Sequence, residues 1–183
     1  MADDELRSDA RANRDRIVEI ARDAFAADPD VSMNAIAKAA GVGAGTLYRH
    51  FACREALLIA VYRKEIQALV DLAPVLLARH TPLVAFRHWC DRLAHFGRMK
   101  QGLAAVLHAA MSDRDFQETY WPMVEAIAQF LRAGEASGEL RSGVEAEDVL
   151  LLLGALWRID PKKGGKAQAE RLIGLVLSGL GAR

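Results

Sequence analysis

Apolar residues recur every three or four positions through almost the whole 183-residue chain. This is the period of helices that bury one face. Ile17, Ile20, Ala21, Ala24 and Phe25 form the first such stripe and predict a helix over residues 9–27, ended by Asp28-Pro29-Asp30. Ser32 is placed to cap a short second helix reaching Ala40, with Ile36, Ala37 and Ala40 inward and Gly41 in the left-handed position that follows. A third short helix is predicted over 44–50, anchored by Leu47 and closed by Phe51. From Cys53 a long fourth helix carries Leu57, Leu58, Val61, Tyr62, Leu69 and Val70, and Pro74 should kink or end it near Ala73. Thr81-Pro82 opens a fifth helix reaching about Met99, and a shorter sixth covers 103–111. Thr119, with Pro122 in the first turn, opens a seventh reaching about Gly134. Ser142 to Glu145 has capping-box spacing ahead of an eighth over 149–157, and a ninth follows Gly164-Gly165. No strand alternation, hairpin turn or internal repeat competes with this reading, so the predicted fold is all-α with about nine helices.

A hydrophobic content of 52% is ample for a core in a chain of this length. The opening Met-Ala-Asp-Asp-Glu is acidic with no apolar run behind it, and the stretch to Arg7 is expected to fray. The longest uncharged apolar runs, 149–157 and 172–182, fall well short of the roughly 20 residues that span a bilayer. With two cysteines only, the expectation is a cytoplasmic protein with no membrane contact. Net charge is zero, which by itself argues against a nucleic-acid partner. The distribution reverses that argument. Val31 to Arg54 contains no Asp or Glu but holds Lys38, Arg49, His50 and Arg54. Residues 7–64 carry ten lysines and arginines against seven acids, whereas residues 65–183 balance at fourteen each. The positive field is local.

The same acid-free segment has the chemistry of two short helices crossing steeply about a glycine turn. Ala37 is small enough for close approach, Gly41 tolerates positive φ, Val42 plugs the turn and Leu47 anchors the second helix from below. The opposite face presents Ala44, Gly45, Tyr48 and Arg49, with Thr46, His50 and Arg54 within reach of flanking phosphates. Small side chains there let a helix seat deeply in a major groove. Although Gly41-Val-Gly-Ala-Gly45 is glycine-rich, no strand precedes it and no third glycine falls at the dinucleotide-binding spacing.

Ile17-Val-Glu-Ile-Ala21 with Phe25, Ile36-Ala37, and Ala40-Gly-Val-Gly-Ala-Gly-Thr-Leu-Tyr-Arg-His-Phe51 together resemble the TetR family of transcription regulators over residues 14–62. The resemblance implies a homodimeric, non-enzymatic regulator without cofactor, usually a repressor, released from a double-stranded DNA operator by a small molecule. It implies a helix-turn-helix domain over 9–55 and a C-terminal helical ligand-binding and dimerisation domain over 56–183. Carried over by position, the family's DNA contacts fall on Ser32, Gly43, Ala44, Thr46, Tyr48, His50 and Arg54. Two positions depart from the pattern. Gly43 stands where serine is common, and Cys53 stands where serine usually caps the fourth helix.

Within the C-terminal part, Trp89, Phe96, Met99, His108, Met111, Trp121, Phe130 and Trp157 are bulky, adaptable side chains suited to lining an effector cavity. His88, Asp91 and His95 lie at i, i+3 and i+7, so one helix face could offer metal ligands, and Cys53 beside Arg54 could act as a redox switch. A metal- or redox-responsive regulator is therefore the alternative reading. The last two helices carry Val149, Leu150, Leu152, Leu153, Leu156, Leu172, Ile173, Val176, Leu177 and Leu180, more apolar surface than one monomer edge should expose. A second copy could cover it, with Gly154, Gly174 and Gly179 allowing close approach.

Overall fold

The computed structural model describes residues 2–100, 104–160 and 164–181, with side chains for 9–97, 106–107, 109–160 and 164–181. Among the described residues the secondary structure is helical: α1 (Ala2–Ala27), α2 (Met33–Ala39), α3 (Ala44–His50), α4 (Arg54–Leu77), α5 (Pro82–Lys100), α6 (Ala104–Ala110), α7 (Asp113–Ser137), α8 (Ala146–Leu153) and α9 (Gly165–Leu180), with a 3₁₀ segment over Gly154–Arg158. The one extended pairing described is an isolated bridge between Leu140 and Gly181.

The helices form two compact units, Met1–Lys64 with Gly102–Met111, and Glu65–Gln101 with Ser112–Arg183. In the first unit, the stripe on α1 buries Ile17, Val18, Ala21 and Phe25 against Met33, Ile36, Ala37 and Ala40 around α2, Leu47 and Phe51 around α3, and Leu57, Leu58 and Val61 of α4. Leu107 of α6 joins this core, a membership that nothing in the sequence signalled. On the surface, Lys64 donates to Glu19 at 3.0 Å and ties α4 to α1. α1 begins at Ala2 rather than Asp9, so the stretch expected to fray is helical.

In the second unit, Trp89 is fully buried and its indole N–H donates to the Leu69 carbonyl at 2.8 Å. Its ring packs with Phe86 and Phe130 at centroid separations of 6.0 and 5.8 Å. Buried Glu65 meets Arg92 at 3.3 Å, linking α4 to α5. α4 continues through Pro74 to Leu77 instead of ending near Ala73. A proline in the last turn removes a single backbone bond, and the Pro74 carbonyl still accepts from Ala78 at 3.0 Å. α7 starts at Asp113, not Thr119, because Ser112 and Asp115 form a reciprocal capping box. Thr119 lies buried inside the helix with its hydroxyl donating to the Asp115 and Phe116 carbonyls. Pro122 is likewise internal. At α8 the expected Ser142 box does not form. Gly143, at φ +72°, turns the chain, and Glu145 is the N-cap with no side-chain bond. The N-terminus of α5 is also served from a distance, since the Leu83 N–H donates to the Glu139 carboxylate at 3.0 Å.

The connection after α7 rests on a close approach. A Cβ on Gly134 would overlap the Cβ, Cγ and Cδ1 of buried Leu140, whose N–H donates to the Gly134 carbonyl at 3.0 Å. Gly134→Ala is therefore expected to cost about 1–3 kcal/mol and to lower the thermal midpoint by roughly 2–10 °C. A calorimetric scan with an unchanged midpoint would show that Leu140 has room to move.

Candidate nucleic-acid interface

Ser32 N-caps α2 in extended backbone, its hydroxyl oxygen accepting from the Ala35 N–H at 3.2 Å. Gly41 takes φ +66°, and the Val42 N–H returns to the Ala37 carbonyl at 3.0 Å. This reverses the chain within a few residues and sets α3 after α2. Leu47 is fully buried beneath α3, whereas Ala44, Gly45 and Arg49 are exposed and Tyr48 keeps 47% of its surface accessible. The i, i+4 pairs Ala44/Tyr48 and Gly45/Arg49 thus share the outward face. Arg49 donates to Thr46 Oγ1 at 3.0 Å, which steadies both side chains along the helix. His50 is half-buried, its ring 6.4 Å from that of Phe51. A Cβ built on Gly43 or Gly45 meets nothing within 4 Å, so internal packing does not require glycine at either position.

Arg54 does more than offer a charge. Its guanidinium lies over the Phe25 ring, 4.9 Å from the centroid, and donates to the Pro29 carbonyl. It thereby fastens the α1–α2 connection to the start of α4 and presents the rest of its planar donor set beside that connection. Cys53 is exposed and its side chain hydrogen-bonds Glu55. The Glu55 carboxyl is held below its ordinary range, first by a backbone N–H at the start of α4, then by the Cys53 bond and the nearby Arg54 charge. Glu55 supplies the stabilisation of this helix start that Cys53 gives poorly. Arg14 is a residue the sequence reading passed over. It covers the Phe51 ring from α1 at 5.1 Å, and the signal was its place one turn before Ile17.

Residues 17–61 match the description "Bacterial regulatory proteins, tetR family", and residues 81–182 match "Transcriptional regulator SbtR-like, C-terminal domain". The chain belongs to the TetR family of transcriptional regulators. An HTH-type transcriptional regulator of Staphylococcus aureus (strain USA300) is 42% identical over 67 residues, a match spanning 36% of this chain and 36% of that relative, about a third of each. Agreement with solved structures is wider. A TetR transcriptional regulator from Streptomyces coelicolor is 36% identical, with a TM-score of 0.77 over 92% of this chain and 98% of the other. A TetR transcription regulatory protein from Mycobacterium vanbaalenii is 30% identical, with a TM-score of 0.73 over 97% and 99%. The family is one of DNA-binding regulators, not enzymes.

The remaining predicted residues of this TetR-family chain scatter. Trp89, Phe96 and Phe130 are buried core, and Trp157 is half-buried with its ring edge-on to Phe96 at 5.6 Å. Trp121 is exposed, hydrogen-bonded to Gln117 on its own helix, and so is not gathered with them. Met111 belongs to the first unit. The side chains of Met99 and His108 lie outside the described residues. A cleft of about 350 Å³ in the second unit is lined instead by Arg87, Asp91, Ala94, Lys166, Ala169, Glu170 and Ile173. Among the described residues no three His, Cys, Asp or Glu side chains are grouped to hold a metal, and His88 packs against His80 at 4.9 Å. Burial pushes the Cys90 thiol well above its ordinary pKa. Of the ten apolar residues singled out near the C-terminus, Val149, Leu153, Leu156, Ile173, Leu177 and Leu180 are buried within the unit itself. Leu150, Leu172 and Val176 are half-buried, and Leu152 is exposed. Leu151 and Leu175, which the pattern had not singled out, are the most exposed at 78% and 70%. No helix among the described residues is long and apolar enough to cross a membrane.

Proposed function

We propose that this regulator is a cytoplasmic homodimeric repressor that seats α3 in the major groove of an operator and is released by a small-molecule effector. The observation carrying the reading is the outward face of α3. It combines Tyr48 and Arg49 with a glycine whose Cβ would meet nothing. Gly costs up to about 1 kcal/mol relative to Ala inside a helix, and less in a first turn such as that holding Gly45. With no internal neighbour to demand it, Gly45 is explained by an external surface that approaches the backbone closely. Ser32, Gly43, Ala44, Thr46, His50 and the free donors of Arg54 then position the helix on phosphates and sugar, while Tyr48 and Arg49 reach base edges.

Two copies present their α3 helices to successive major grooves about 34–36 Å apart. Exposed Leu151, Leu152 and Leu175 supply the apolar face for pairing, and Gly174 and Gly179 leave open space for a partner helix. The effector binds in the second unit, which carries a cleft of about 350 Å³ lined by Arg87, Asp91, Lys166 and Glu170 among others. It acts through α4, whose residues belong to both units. Effector and operator then oppose each other by the same coupling free energy.

The test is fluorescence anisotropy against an operator selected from a random duplex library. Tyr48→Ala is expected to weaken operator binding by about 1–3 kcal/mol while random-duplex binding changes little. Gly45→Ala is expected to raise the thermal midpoint yet lower operator affinity. An operator affinity untouched by both substitutions would remove α3 from the interface.

A further inference from the structure

We propose that the N-terminal part of α1 is a second DNA-binding element, in which Arg11 and Arg14 take phosphates flanking the groove occupied by α3. The inference rests on the DNA-binding reading above and extends it to a helix outside the helix-turn-helix. Ile17, Val18, Ala21 and Phe25 form the buried seam of α1, the last three spaced alternately three and four apart. The same register continued toward the N-terminus falls on Arg14, Arg11 and Arg7. At 3.6 residues per turn, Arg14 lies at the centre of that seam and Arg11 toward its Val18 edge, about 65° from the centre. Both are exposed. The face that packs apolar residues into the core therefore runs on past the end of that core and changes to cations.

Arg14 fixes where this overhang emerges. Its guanidinium covers the Phe51 ring at 5.1 Å, and Phe51 closes the C-terminal end of α3, one turn beyond Tyr48 and Arg49. The cationic seam thus begins beside the proposed groove-facing helix. Asp9 is on roughly the opposite side of α1 from Arg11, and Asp15 borders the seam, yet no ion pair joins Arg11 or Arg14 to an acid among the described residues. Arg16 lies on the far face, donating to Asn13 at 2.9 Å. Apolar residues at seam positions would extend the core. Arginines there match a polyanion, and their planar donor fork suits phosphate oxygens. The contact is with backbone charge, so it carries affinity and register without base preference.

Anisotropy titrations of the full chain with the selected operator and a random duplex, across a salt series, test this. In the Arg11→Ala/Arg14→Ala variant both affinities should fall by the same factor, on the order of tenfold at low salt, and the log–log salt slope should shrink by about 0.9 for each lost contact. Arg11→Lys/Arg14→Lys should restore most of both. Because Arg14 also packs on Phe51, Arg11→Glu serves as the variant that leaves the end of α3 intact, and it should reproduce the loss. A wild-type chain that prefers its operator, with affinity and slope unchanged in all these variants, overturns this inference alone. Loss confined to the operator also overturns it, because that would mean base readout. A wild-type chain that binds neither duplex overturns it together with the reading on which it rests.

Discussion

Leu47→Ala is expected to remove about 3–5 kcal/mol from the first unit and, with it, selective DNA binding. Leu47 is the one buried residue of α3 and is completely inaccessible. A seven-residue helix is far below the length that is stable by itself in water, so α3 exists because this side chain is held in the core with Ile17, Ile36, Phe51 and Leu57. Truncation loses the transfer free energy of the removed carbons and leaves a cavity that the surrounding helices close only in part. Against a total stability of 5–15 kcal/mol typical of domains, that is a large share. Urea unfolding and hydrogen exchange over residues 44–50 measure it. Leu47→Met, which nearly conserves volume, should cost less than about 1.5 kcal/mol and keep operator binding. A loss below about 1 kcal/mol for Leu47→Ala would mean that α3 is positioned by its capping turn instead of its anchor.

The first unit was legible because its determinants are local. Ser32 as N-cap and Gly41 with positive φ are each a few residues from what they organise, the apolar period of α1 and α3 marks their inward faces, and α3 spans Ala44–His50 as predicted. What escaped there depends on contacts distant in sequence. Arg54 reads as a phosphate-seeking cation until its position over Phe25 and its bond to Pro29 are seen. Leu107 sits in a short helix with no motif, yet it completes the core.

The second unit was legible as helices but not as boundaries or cavities. Thr119-Pro122 and Ser142 both have the composition of helix starts, but α7 starts from a capping box further upstream and α8 from Glu145, which makes no side-chain cap bond. Ser112 with Asp115 closes a full capping box, its cap seven residues upstream of the expected start at Thr119, and a helix already begun accommodates Pro122. Aromatic bulk was an ambiguous signal for a ligand wall. Trp89 satisfies its N–H on Leu69 and packs with Phe86 and Phe130 as core, while the open cleft is lined largely by charged side chains. Helical period tells which residues face inward, not whether the interior leaves a void.

The paired substitution Leu151→Glu/Leu175→Glu is expected to convert a dimer into monomers and to lower operator affinity by 10²- to 10⁴-fold. Leu151, Leu152 and Leu175 retain 78%, 60% and 70% of their surface in the isolated chain, so these large apolar groups contribute nothing to its own core. Covered by a second copy, each stabilises the assembly by roughly 1.5–3 kcal/mol. In a symmetric pair every such contact occurs twice. Two buried carboxylates facing their symmetry mates reverse that contribution, because a desolvated charge without a partner is far more costly than an exposed leucine. The substituted side chains point to solvent in the monomer, so helix content by circular dichroism should persist while sedimentation equilibrium reports half the mass. Operator affinity falls because α3 of the second copy is no longer tethered near its half-site, even though each monomer keeps its own interface. A variant that stays dimeric would place the pairing surface elsewhere. A monomeric variant with undiminished operator affinity would show that one α3 suffices, and would remove symmetry from the recognition.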